Sequence, residues 1–124
     1  MQYIALDIGN KRVGIAISQE NIAFPHIIIP RTELISYLKK YFLEHWKEFV
    51  IIVGLPYDLY GKNLTQLEKT QKFIQKLQWV FSDISIIGHD ERFSSFVAGE
   101  GFWDHRDDIA AQCILQSFID TLNK

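Results

Sequence analysis

A chain of 124 residues, 48% hydrophobic, 14% aromatic and 23% charged, has the size and usage of one globular domain, expected to span residues 1–124. That usage excludes disorder and low complexity, and a single cysteine, Cys113, excludes an internal disulfide or a zinc cluster. A net charge of −2 argues against a general coating of nucleic acid but leaves room for local phosphate contacts. The first two strands are predicted at Gln2–Asp7 and Val13–Ser18, joined by Gly9-Asn10-Lys11-Arg12 as a β-hairpin. His26–Ile29 reads as a third short strand, with Pro25 before it and Pro30 closing it. From Thr32, a candidate cap, the spacing of Leu34, Ile35, Leu38, Tyr41, Phe42 and His45 predicts a helix. Phe49–Val53 is a continuous apolar run of the kind buried on both faces of a parallel sheet, ended by Gly54-Leu55-Pro56.

After the loop Tyr57–Asn63, a second helix follows through Leu64, Leu67, Phe73, Ile74 and Leu77. Ile84–Ile87 reads as the fifth strand, broken at Gly88. The last helix runs from Ile109 to Leu122, with Ala110, Cys113, Ile114, Ser117 and Phe118 expected on its packed face. The order is β-β-β-α-β-α-β-α: an α/β fold with a five-stranded mixed sheet flanked by helices. The apolar runs are too short to span a bilayer, and no basic region precedes an apolar leader. A soluble, cytoplasmic chain with no membrane partner is therefore expected.

Asp7 is the most informative residue, because a central strand ends on it and a desolvated carboxylate needs a cation, a metal or backbone donors. The plainer alternative is an aspartate that caps the Gly9-Asn10 turn. Asp90 and Glu91 lie just beyond the end of another strand, where α/β folds gather their catalytic groups; alternatively they form a surface pair with Arg92. Asp107 and Asp108 precede the last helix and read singly as a cap and a first-turn acid. Taken together, acids from two strand ends and one helix start can converge on a hard divalent cation, Mg²⁺ or Mn²⁺, suited to phosphodiester substrates. Lys11, Arg12 and Lys62 sit in turns where they can position phosphates. Lys39, Lys40 and Lys47, like Lys69, Lys72 and Lys76, read as solvated helix faces. His26 reads as a packed histidine, His89 and His105 as possible substrate contacts, and Trp46 and Trp79 as residues finishing their helices against the core.

Four blocks in register resemble the YqgF/RuvX-type nucleases, described as Holliday junction resolvases and as pre-16S rRNA nucleases. They are Leu6-Asp7-Ile8-Gly9-Asn10-Lys11-Arg12-Val13-Gly14, then Val53-Gly54-Leu55-Pro56 with Gly61, then Asp90-Glu91-Arg92-Phe93-Ser94-Ser95, and Asp107-Asp108-Ile109-Ala110-Ala111 running on to Ile114-Leu115-Gln116. The resemblance implies an RNase H-like fold and a metal-dependent nuclease. It implies Asp7, Glu91 and Asp107 as catalytic and metal-binding acids, with Asp90 beside them, and Mg²⁺ or Mn²⁺ as the cofactor. Arg92 joins Lys11, Arg12 and Lys62 as an expected substrate contact.

The implied partner is nucleic acid, structured RNA or branched DNA, bound by a monomer or a homodimer. The implied role is 5′ maturation of pre-16S rRNA, with Holliday junction resolution or a non-catalytic binding module as alternatives. An Asp-x-Gly hairpin also resembles the first phosphate loop of actin-like ATPases, but those enclose ATP between two such lobes and this length supplies one. Two departures stand out. The segment between Arg92 and Asp107 is shorter than the family pattern, and related junction resolvases carry an acid at the fourth strand, where this chain has Gly54-Leu55-Pro56.

Overall fold

A computed structural model describes residues 1–45, 47–56, 64–90 and 107–123. Its elements are β1 (Gln2–Ile8), β2 (Arg12–Gln19), β3 (Ile22–Pro30), α1 (Leu34–Glu44), β4 (Phe49–Leu55), α2 (Leu64–Val80), β5 (Ser85–Asp90) and α3 (Asp107–Leu122). The strands form one five-stranded sheet in the order β3-β2-β1-β4-β5. β1 pairs antiparallel with β2 and parallel with β4, and β5 runs parallel to β4. β3 thus points the same way as β4, and the β3–α1–β4 and β4–α2–β5 crossovers advance in one direction across the sheet. Right-handed crossovers of that kind put both helices on the same face.

α3 takes the other face. Its apolar residues Ala111, Ile114, Leu115 and Ile119 pack with Ala5, Ala16, Ala23, Val50 and Ile52. The opposite layer is bulkier: Ile4, Leu6, Ile8, Val13, Ile15, Ile51 and Val53 from the sheet meet Leu34, Leu38 and Tyr41 of α1 and Leu77 of α2. The period of two in a strand divides β1 cleanly between these layers. Gln2, Ile4, Leu6 and Ile8 face α1 and α2, while Tyr3, Ala5 and Asp7 face α3.

The buried polar groups at the start of β1 are paired. Gln2 donates from Nε2 to the Ser18 carbonyl at 3.0 Å and accepts the Tyr41 hydroxyl proton at 3.1 Å. Ser18 Oγ accepts the Tyr3 N–H at 2.9 Å. The edge strand β3 is covered by two glutamines of α3. Gln116 Oε1 accepts the Ala23 N–H at 2.9 Å, and Gln112 Nε2 donates to the Ala23 carbonyl at 3.1 Å. Those bonds occupy main-chain groups that would otherwise template another strand.

Local departures from the expected pattern have identifiable causes. β3 starts at Ile22, four residues ahead of the expected strand, because the ladder continues through an irregularity. Ala16 pairs Pro25 and Ile15 pairs Ile27, which leaves His26 as the extra residue of a bulge. Proline, which has no N–H to give to a ladder, is tolerated at such a site. His26 is consequently more exposed than a core histidine, though its ring still packs edge-on to Tyr41 and hydrogen-bonds to the Tyr37 hydroxyl.

Thr32 does not cap a helix: Arg31–Glu33 form a 3₁₀ turn that leads into α1. Gly88 does not break β5, which continues to Asp90, since Gly88 pairs Val53 in register. Trp79 is 85% exposed, not packed on the core, because Leu77 and Phe81 already fill the inward positions at that end of α2. The packed stripe of α3 is Ala111-Leu115-Ile119 with Ile114, rotated by one residue from the expected one, and Cys113 is only half-buried. Among the described residues no helix is long and apolar enough to cross a membrane.

The alanines beneath α3 let the helix approach the sheet closely, so added volume there has nowhere to go. Ala16→Leu, at a position with no solvent exposure, is expected to cost about 1–3 kcal/mol of stability in urea unfolding. A variant as stable as the parent would show that α3 packs more loosely than this.

Candidate active site

Asp7 stands at the C-terminal end of the central strand, on the face that α3 covers, half-buried. Its neighbour on β2 is Gly14. Continuing the β1–β4 register one residue beyond Leu6–Val53 brings Gly54 to its other side, and Gly54 in turn pairs with His89. The row across the sheet is therefore Gly14, Asp7, Gly54, His89. With glycine on both sides, no neighbouring side chain walls off the carboxylate along the sheet. The turn that follows is closed by the Gly9 N–H donating to the Arg12 carbonyl at 2.9 Å. A Cβ on Gly9 would lie 2.9 Å from that same oxygen, so this position demands glycine.

The direction of α3 brings its first turn to the same end of the sheet. Gln116 Nε2 reaches the Asn21 carbonyl in the β2–β3 turn, while Gln112 reaches Ala23, further from that turn. The helix N-terminus accordingly points toward the end of β1 that bears Asp7. From Asp108 to Phe118 the helix rises about 15 Å. Tyr3, which meets the Phe118 ring at 5.6 Å, lies about 13 Å along the strand from Asp7.

Asp108 is only 6% exposed and lies on the Ala111-Leu115-Ile119 stripe, and its Oδ1 accepts the Ile109 N–H at 3.0 Å. It therefore acts in part as the first-turn acid expected of it, and it also faces the sheet. α3 begins at Asp107. The Asp107 side chain, together with Glu91, Arg92 and Lys62, lies outside the described residues. Asp90 closes β5 opposite Leu55, inside the strand rather than beyond it. Among the described residues no three acids, histidines or cysteines cluster as a metal set, which follows from two of the three expected acids falling outside them. Lys11 and Arg12 are exposed on the hairpin, and the Arg31 N–H donates to the Lys11 carbonyl at 2.8 Å.

His89 is more closely tied into this region than the sequence implied. Its Nε2 lies 3.0 Å from Ser117 Oγ on α3, and its ring stands edge-on to Phe118 at 5.8 Å. Burial lowers its pKa from the ordinary histidine value, with Asp90 pulling in the opposite direction. The signal was present in the sequence: if Gly88 is a strand residue, His89 must share a face with Ile87 and point away from Val53.

The match to known proteins follows this geometry along the whole chain. The model of the RuvX family, described as Holliday junction resolvase, matches residues 1–121. The chain belongs to the RuvX family. A Fusobacterium nucleatum relative named as a pre-16S rRNA nuclease is 36% identical over 96% of this chain and 96% of its own length. One from Amoebophilus asiaticus with the same name is 30% identical over 98% of this chain and 95% of its own. Thermus thermophilus RuvC, solved in complex with a Holliday junction substrate, superposes with a TM-score of 0.63 at 8% identity, covering 99% of this chain and 96% of that one. At that identity the likeness speaks for the fold, which is RNase H-like as expected. This RuvX-family chain is a nuclease by its kinship.

Two histidines of the RuvX-family nuclease, His26 and His89, are held below the ordinary histidine value of 6.5, mainly by partial burial of their rings. The unfolded chain therefore binds more protons than the folded one as the medium turns acidic. The stability tied to these neutral rings is complete above 6.5 and is lost as pH falls through the lowered values. Melting temperatures taken from about pH 7.5 down to about pH 5.5 should fall, and the fall should shrink in His26→Gln and His89→Gln. An unchanged fall in the double variant would place the acid sensitivity in other groups.

Proposed function

We propose that this RuvX-family nuclease hydrolyses phosphodiester bonds with the help of Mg²⁺ or Mn²⁺, and that its substrate is the 5′ precursor segment of 16S rRNA. The observation that carries the reading is the position of Asp7: a carboxylate at the inner end of a central strand, between two glycines, beneath the acid-bearing first turn of α3. Asp7, Glu91 and Asp107 are the acids that would hold the ion, with Asp90 adjoining. All are hard oxygen donors, which fit these cations and not a softer metal. The bound ion would supply charge stabilisation and an activated water.

The chain's own residues do the rest. The half-buried face around Asp7 excludes bulk water, Gly54 and Gly14 leave the row open for a phosphate, and Lys11 and Arg12 hold the backbone beside it, with Lys62 and Arg92 as the further contacts. The names of the relatives support the RNA substrate. A second reading, cleavage of branched DNA, is favoured by the family description and by the fold shared with a junction-bound resolvase. Cleavage with added Mn²⁺ or Mg²⁺ of precursor rRNA, four-way DNA junctions and single strands separates the two. Preference for junctions would overturn the RNA assignment.

Asp7→Asn removes a partly desolvated charge and keeps the shape. The variant should melt no lower than the parent without metal, should lose the stabilisation that Mn²⁺ gives by binding the folded state, and should cleave several orders of magnitude more slowly. A variant that melts lower yet still cuts would make Asp7 a turn cap. For the acids of α3, Asp107→Asn should abolish metal-dependent cleavage. Asp108→Asn, which keeps an oxygen for the Ile109 N–H, should cost less than about 1 kcal/mol and leave cleavage largely intact. The reverse ranking would transfer the ligand role to Asp108.

A further inference from the structure

On the face opposite Asp7, an open groove of about 730 Å³ lies between the β1–β2 turn, the 3₁₀ turn and α2. Its lining includes Asn10, Lys11, Arg31, Lys69, Lys72 and Lys76. Read on α2 alone, the three lysines are an ordinary solvated face. In the folded chain they converge with cations from two other elements on one concavity, and none of the five cations has an ion-pair partner among the described residues. Glu68, the one acid of α2, makes no ion pair with Lys72 one turn on.

Arg31 ties the groove to the turn after Asp7. Its Nη1 donates to the Gly9 carbonyl at 3.3 Å, and its guanidinium lies 4.7 Å from the centre of the Phe73 ring of α2. Lys69, Lys72, Lys76 and Trp79 occupy one stripe about 80° wide on α2. An indole that is 85% exposed at the end of a lysine stripe is not explained by folding, since it buries almost nothing.

We infer that this groove and stripe hold the nucleic-acid backbone flanking the cleaved bond, with Trp79 stacking on an unpaired base at the far end. The inference rests on the nuclease reading above and adds where the substrate runs: from Asp7 over the Gly9–Lys11 rim and down α2. Lys69 to Trp79 spans about 15 Å, which at about 3.4 Å per phosphate of one strand matches four or five consecutive phosphates. Lysines fit the charge of those phosphates, and an exposed indole supplies the stacking surface on which single-stranded bases dock. Because Phe73 lies under Arg31, the groove itself offers charge rather than a second stacking ring.

The test measures binding by fluorescence anisotropy over a range of salt. The probes are the long substrate cleaved by the parent protein, bearing an unpaired tail, and an octamer around the same scissile bond. Lys69→Ala/Lys72→Ala/Lys76→Ala should weaken the long probe about 10- to 100-fold and reduce the log–log salt slope by about two to three. The octamer should lose less affinity and less slope than the long probe, since fewer of its phosphates lie along α2. Trp79→Ala should weaken only the tailed probe, by about tenfold, with the slope unchanged. Each single lysine variant should lower the slope by about one, so the reading stays testable if the triple variant fails to fold. Normal melting with parental affinity and slope would overturn the groove while parental cleavage left the nuclease reading standing. Absence of both binding and cleavage in the parent protein would overturn the two together.

Discussion

The alternation of side chains along β1 is the constraint from which the rest of the arrangement follows. Because the strand is central and covered on both faces, each of its residues must suit one layer or the other, and a register slip of one residue would exchange them all. Ile4, Leu6 and Ile8 must be large to meet α1 and α2, and Ala5 must be small beneath α3. Asp7 inherits the α3 face from that phase, two residues beyond Ala5, where the helix is beginning and its first N–H groups are unpaired by the helix itself. A carboxylate one position earlier or later would point into the aliphatic layer, where nothing polar would offset its desolvation.

The two layers consequently have different characters. The layer of α1 and α2 is built of large aliphatic groups and a chain of rings, with Phe42 contacting both Phe49 and Phe81 and Tyr41 packing on His45. It holds the larger of the two clusters of buried apolar residues. The α3 layer is lined by alanines and glycines, and polar side chains stitch it together: Gln112 and Gln116 on β3, and Ser117 on His89. Stability is concentrated on one side of the sheet, which leaves the other able to carry acids close to a backbone.

Element order was legible in the sequence because long periodic runs such as Leu34–Tyr41 and the unbroken apolar Phe49–Val53 leave little choice. So was the place of Asp7 at the end of β1, because an acid terminating an apolar strand conflicts with its surroundings. What could not be read depended on tertiary partners. In α3 the stripe through Ala110 and the one through Ala111 are both apolar enough to be buried, and only the sheet beneath selects between them. Gly88 looked like a terminator until Val53 paired with it, and His89 was misplaced with it. Trp79 looked like core because indoles usually are, but Leu77 and Phe81 had already claimed the space. The acids expected of Glu91 and Asp107 rest on family resemblance, since nothing in their local spacing separates them from Asp90 and Asp108.

The bulge at His26 shifts the phase of a strand in mid-course. Ahead of it Ala23 serves the α3 layer; behind it Ile27 and Ile29 serve the α1 layer. Ala23 and Ile29 are an even number of residues apart and in a regular strand would face the same way. One surplus residue lets a single edge strand contribute to both cores in turn, much as a shifted reading frame changes the meaning of everything downstream. Along β3, therefore, residue number matters more than residue identity. Conservative exchanges at Ile27 or Ile29 would be absorbed locally, whereas drawing His26 into the ladder would shift every later pair by one and turn the whole second half of the strand inside out.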